Sequence, residues 1–170
     1  VFWTAPAEGI GFPSDDAWIH QVFARNLGRS GEFSYNPGER SSGLTAPLWT
    51  LLLSVAYWLN FPAIPWGLAL NILSHVLWMG AVYFLVRGFA AGLSPWWATA
   101  AAAIASFLGP VTWFAVSGME TSLFFALGTL TAVAYQRRKA AWAGLAAAAA
   151  VPVRPEGGLL LIMLWGCLLY

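Results

Sequence analysis

Apolar residues run through this chain in blocks about as long as a bilayer is thick, and its charges are confined to the gaps between them. Residues 64–86, 96–116 and 119–135 form three such blocks, and 140–151 with 157–170 form a fourth that is broken in two. A helical crossing takes about 20 consecutive apolar residues. Only 9% of the 170 residues are charged and 59% are hydrophobic, whereas about a quarter of an ordinary soluble domain is charged. The pattern predicts an all-α fold: a polytopic transmembrane helical bundle over residues 64–170, preceded at 1–63 by an external loop carrying interfacial or re-entrant helices. The gap in the fourth block is Val153-Arg154-Pro155-Glu156, whose charges and proline exclude an uninterrupted lipid-facing helix. The alanine runs at 98–103 and 146–150 suit close helix packing.

A formal net charge of +1 leaves no basic field for phosphate backbones, so nucleic acid is excluded as a partner. The single cysteine, Cys167, excludes an internal disulfide and any Cys-based metal motif. The chain starts at Val1 and stops inside an apolar run, which reads as a piece of a longer protein. Val1-Phe2-Trp3 then reads as the last turn of a preceding helix, and no signal-peptide pattern precedes Ser14.

The basic run Gln136-Arg137-Arg138-Lys139 is expected on the cytoplasmic side, with Arg87. A shorter apolar stretch, 46–61, decides the parity. If it spans, Asp15 and Asp16 fall on the cytoplasmic side. If it re-enters or lies in the interface, Asp15, Asp16, Glu120 and Glu156 all reach the external side, opposite the basic run. The second arrangement is preferred, because re-entrant backbone lines protein-walled cavities and a membrane active site needs one.

Asp15 and Asp16 head the segment Ser14-Asp15-Asp16-Ala17-Trp18-Ile19-His20. Ser14 is the expected N-cap, and the carboxylates occupy a first turn where the helix dipole favours them. Trp18, Ile19, Val22, Phe23, Asn26 and Leu27 recur at helical spacing as a mostly apolar stripe, with His20, Gln21 and Arg25 off it. Such a helix is expected to lie along the membrane surface, ended by Gly28 and Gly31.

Taken with Tyr35-Asn36-Pro37-Gly38-Glu39, Gly43-Leu44-Thr45-Ala46-Pro47-Leu48-Trp49, Ser117-Gly118-Met119-Glu120-Thr121 and Arg154-Pro155-Glu156-Gly157, the Asp pair resembles the N-terminal part of GT-C-fold glycosyltransferases. The nearest likeness is to bacterial arabinofuranosyltransferase-like and protein-mannosyltransferase-like membrane proteins. The resemblance implies an inverting enzyme of the bacterial inner (plasma) membrane, working at its outer face. It implies a polyprenyl-phosphate sugar donor and a glycan, lipid or protein acceptor hydroxyl.

Under that implication Asp15 is the base that takes the acceptor proton, with Asp16 and Glu120 as the further catalytic carboxylates. Arg40, Arg154 and His20 would meet the charge of the leaving phosphate, and Glu156 would orient these groups or bind sugar hydroxyls. Clustered carboxylates also suit a divalent cation, Mg or Mn, and the metal is left open. Bland roles stand beside these: helix-start charges for Asp15 and Asp16, an i, i+4 pair of Asp16 with His20, a cap at Glu120, and a structural ion pair between Arg154 and Glu156. A transporter or flippase of lipid-linked precursors would place charges at mid-helix in several spans, and a membrane scaffold would tolerate loss of the acidic residues.

Overall fold

The computed structural model describes residues 11–39, 41, 43–90, 92 and 94–169. Among them the chain is all-α: α1 (Asp15–Ser30), α2 (Pro47–Trp58), α3 (Ala63–Phe89), α4 (Pro95–Phe107), α5 (Gly109–Phe114), α6 (Thr121–Gln136), α7 (Ala140–Ala150) and α8 (Gly157–Leu169). Arg40 and residues 1–3 lie outside the described residues.

Helix length bears out one of the expected spans. At 1.5 Å per residue α3 is about 40 Å long and clears a hydrocarbon core of about 30 Å; it alone among the described helices is long and apolar enough to cross. The block 96–116 divides at Leu108-Gly109-Pro110, where Leu108 is extended and Pro110 opens α5. The block 119–135 becomes the 16-residue α6, about 24 Å. The 12-residue α2 reaches about 18 Å. The fourth block parts between α7 and α8, where proline and charge end the helix.

α1 packs on α2, α3 lies between α4 and α6, and α7 lies between α6 and α8. Ala24, Ala46, Trp49 and Leu53 form one core, joined by Leu70 and Leu123. Ala143, Ala147 and Leu164 form another with Ala134 and Leu160. Small and polar side chains face inward: Gly67, Asn71, Ser74 and Ala81 on α3, Ala98, Ala102 and Ser106 on α4, Ala143, Ala147 and Ala150 on α7. Large apolar ones face outward, among them Leu73, Val76, Trp96, Ile104, Trp142, Leu145, Ile162 and Trp165. Narrow inner faces let helix backbones approach closely.

α1 departs from this inversion, burying Phe23 and Leu27 and exposing Asp15, Asp16 and Arg29, and it corrects the expected stripe. Gly31 is its left-handed C-cap, φ 74°, with its N–H donating to the Leu27 carbonyl, while Gly28 stays inside the helix and Ser14 makes no side-chain cap. Phe23, Asn26 and Leu27 of the stripe expected at the membrane surface turn into the protein instead, and His20 and Gln21 turn inward with them. Both have partners there: His20 meets Glu120, and Gln21 Oε1 accepts from the Tyr57 hydroxyl at 2.9 Å. Ile19 is exposed and Trp18 and Val22 half-buried on the outer side.

Candidate functional site

Glu120 is the buried carboxylate at the centre of the site, 3% exposed. Its position is built by the turn that precedes α6. Gly118 has φ 82°, and a Cβ there would collide with the Phe12 ring and with Ala17 of α1, so only glycine lets this turn press against α1. Trp49, fully buried on α2, donates its indole N–H to the Gly118 carbonyl at 3.1 Å. The buried Asn71 amide, turned so that its nitrogen meets carbonyls, donates to Phe114 at 2.8 Å and Met119 at 3.2 Å. Two helices thus hold the backbone of the turn that leads into the acid.

An imidazole and a guanidinium close on Glu120. His20 Nε2 lies 3.3 Å from Oε2, and Arg154 Nε lies 3.7 Å from Oε1. Arg154 comes from the break between α7 and α8, which is held against α2 by the Leu48 N–H donating to the Pro152 carbonyl at 2.8 Å. Gly157 is required there, since a Cβ would run into the Ala150 and Val151 backbone. Arg154 also faces Glu156 at 3.4 Å, reaches the Thr121 hydroxyl at 3.5 Å and lies 5.9 Å from the centre of the Phe124 ring. A guanidinium has five N–H donors, so these contacts leave donors to spare on a side chain that is one-third exposed.

Burial pushes the Glu120 carboxyl up, but the His20 contact, its own backbone N–H and the Arg154 charge outweigh it and hold the group below the ordinary carboxylate range. Buried His20 Nδ1 and Gln21 Nε2 have no hydrogen-bond partner among the described residues.

The expected site residues therefore divide. His20, Glu120, Arg154 and Glu156 come together. Asp15 and Asp16 are both exposed, and the helix sorts them. Asp16 stands one turn above His20 on the same side, whereas Asp15 is about 100° around the helix and lines a groove on the outer face of α1. For a divalent ion, no three His, Cys, Asp or Glu side chains cluster among the described residues, and the Arg154 guanidinium already faces Glu120 Oε1, so the arrangement does not fit a bound Mg or Mn. Trp49, Asn71, Gly118 and Thr121 were not among the expected site residues; a lone Asn within a 27-residue apolar helix was the available signal for Asn71.

The loop after α1 is folded by its own acids. Glu32 Oε2 accepts from the Gly38 N–H at 3.0 Å, Glu39 Oε2 accepts from the Asn36 amide at 3.0 Å, and buried Asn26 donates to the Ser34 and Tyr35 carbonyls at 2.9 and 3.0 Å. Compared with family models, curated proteins and solved structures, the chain matches none.

Proposed function

We propose that this chain is the donor-side part of a membrane glycosyltransferase, moving a sugar from a polyprenyl phosphate to an acceptor hydroxyl at the outer face of a bacterial inner membrane. The observation that carries the reading is the buried Glu120 held between His20 and Arg154. The outward apolar faces support a lipid surrounding, since apolar patches of that extent mark membrane or partner surfaces. In the finer architecture, α4 with α5, α6, and α7 with α8 accompany α3 as a polytopic bundle. The turn that carries Glu120 lies outside and Arg137–Lys139 inside.

In this reaction the acceptor oxygen attacks the anomeric carbon, the bond from that carbon to the phosphate oxygen breaks, and polyprenyl phosphate leaves with inversion. Arg154, with donors to spare, meets the charge developing on phosphate. Asp16, one turn above His20, is the carboxylate best placed to take the acceptor proton, and Glu120 fixes His20 and Arg154. Asp15 remains the neighbouring candidate. The test is transfer from a polyprenyl-phosphate sugar by the full-length protein. Glu120→Gln keeps the shape but removes the anion that positions His20 and Arg154, and turnover should drop about 10²-fold or more. Unchanged turnover in a folded Glu120→Gln protein would sink the proposal.

A further inference from the structure

The outer side of α1 forms one wall of an open groove of about 980 Å³, closed by residues 35–37, Tyr57 and the start of α3. This is the upper end of the range for small-molecule sites, about 300–1,000 Å³. Charge is sorted along it. Asp15 lies at one end and Arg25 and Arg29 at the other, beginning about 15 Å of helix away. Between them lies an apolar floor of Trp18, Ile19 and Val22.

The two guanidiniums stand one turn apart on the same helix face, and neither forms an ion pair among the described residues. Arg25 Nε reaches its neighbour Asn26 at 3.4 Å, and Arg29 lies 5.9 Å from the centre of the Tyr57 ring. Paired guanidinium forks match phosphate oxygens, and the apolar floor beside them matches an acyl chain. Asp15 repels an anion from the opposite end and so sets the direction of binding. We infer that this groove binds an anionic bilayer phospholipid, its phosphodiester on Arg25 and Arg29 and one acyl chain along Trp18, Ile19 and Val22. The site lies across α1 from Glu120, because His20 faces inward to that carboxylate. The inference rests on the membrane reading above and not on sugar transfer.

The test is native mass spectrometry of the full chain in detergent with phosphatidylglycerol, phosphatidylcholine or inorganic phosphate added. Phosphatidylglycerol should be retained in preference to phosphatidylcholine, and Arg25→Gln with Arg29→Gln should cut its retention about tenfold or more, the loss of a charge-assisted hydrogen bond. Arg137→Gln with Arg138→Gln should leave it unchanged. Equal retention of the two lipids, an unaltered double variant, or displacement by equimolar inorganic phosphate overturns the inference. So does displacement by equimolar polyprenyl phosphate, which would give the groove to the sugar donor. If the double variant fails to fold, photo-crosslinking of wild-type protein decides: a phosphatidylglycerol probe must label α1 or residues 35–37, and labelling confined to other segments overturns the assignment. None of these readouts involves transfer activity, so sugar transfer can fail while the lipid site stands.

Discussion

Trp49 on α2 donates its indole N–H to the carbonyl of Gly118 across 3.1 Å, tying that helix to the turn that delivers Glu120. Trp49→Phe keeps most of the ring volume and removes the donor, leaving a buried carbonyl without this partner. We expect a loss of about 1–3 kcal/mol, read as a lower unfolding temperature in detergent. An unfolding temperature equal to wild type would remove Trp49 as the anchor of this turn.

Two left-handed glycines allow backbone strain to be separated from collision. Gly31 has φ 74° and open space where a Cβ would go, whereas at Gly118, φ 82°, a Cβ meets Phe12 and Ala17. Gly31→Ala should cost only the strain, about 1–2 kcal/mol. Gly118→Ala should cost clearly more and also lower transfer, because the turn must withdraw from α1. Equal unfolding shifts for the pair would contradict the close approach.

Acid should destabilise the protein through Glu120. Its folded pKa lies below its ordinary value of 4.5, so the folded protein holds fewer protons there than the unfolded chain. The resulting stability is fully present above the ordinary value and is lost as pH falls through the folded one. Unfolding temperature plotted against pH should therefore fall less steeply on the acid side in Glu120→Gln. Parallel acid limbs in the two proteins would mean that the carboxylate is not held by His20 and Arg154.

The adjacent aspartates should differ. Asp16→Asn, on the His20 side of α1, should lower turnover about 10²–10⁴-fold, the usual contribution of general-base assistance, and Asp15→Asn should lower it less. The reverse order, measured with a polyprenyl-phosphate sugar in folded variants, would return the base to Asp15.

Membrane sidedness is open to labelling. In a Cys167→Ser background, Ser14→Cys should react with an impermeant maleimide from the outside of intact cells, and Lys139→Cys only after the membrane is opened. Reaction of both from one side would be incompatible with the proposed topology.

The helical class and most helix positions were legible because apolar composition and punctuation by Pro, Gly and charge act locally. The break around Arg154-Pro155 is an example, as is the start of α1 at Asp15. Span lengths were less legible: Leu108-Gly109-Pro110 sits inside an apolar block, and hydropathy alone does not register the change of backbone direction. The facing of α1 was half legible. An apolar stripe has no inherent inside in a chain whose outer surface is apolar too, and it was Glu120 and Tyr57, distant in sequence, that drew His20 and Gln21 inward. The grouping of Glu120, Arg154 and Glu156 followed from their shared place at helix ends, whereas His20 joins them from within α1. The separation of Asp15 from Asp16 needed the helix's rotation about its axis, which only packing on α2 sets.

The inverted packing also redistributes where this protein can change. A soluble globule asks for bulk inside and polarity outside, but α7 asks for smallness at Ala143, Ala147 and Ala150 and merely for oiliness at Trp142 and Leu145. Enlarging one of those alanines forces two helices apart, at about 1–3 kcal/mol for a few added methylenes, whereas Leu, Ile, Phe or Met can replace one another on the outer face with little consequence. Lineages descended from this sequence would therefore drift fastest at their largest and most conspicuous side chains. Their shared ancestry would be written in spaced alanines and glycines, the residues that carry the least chemical signature.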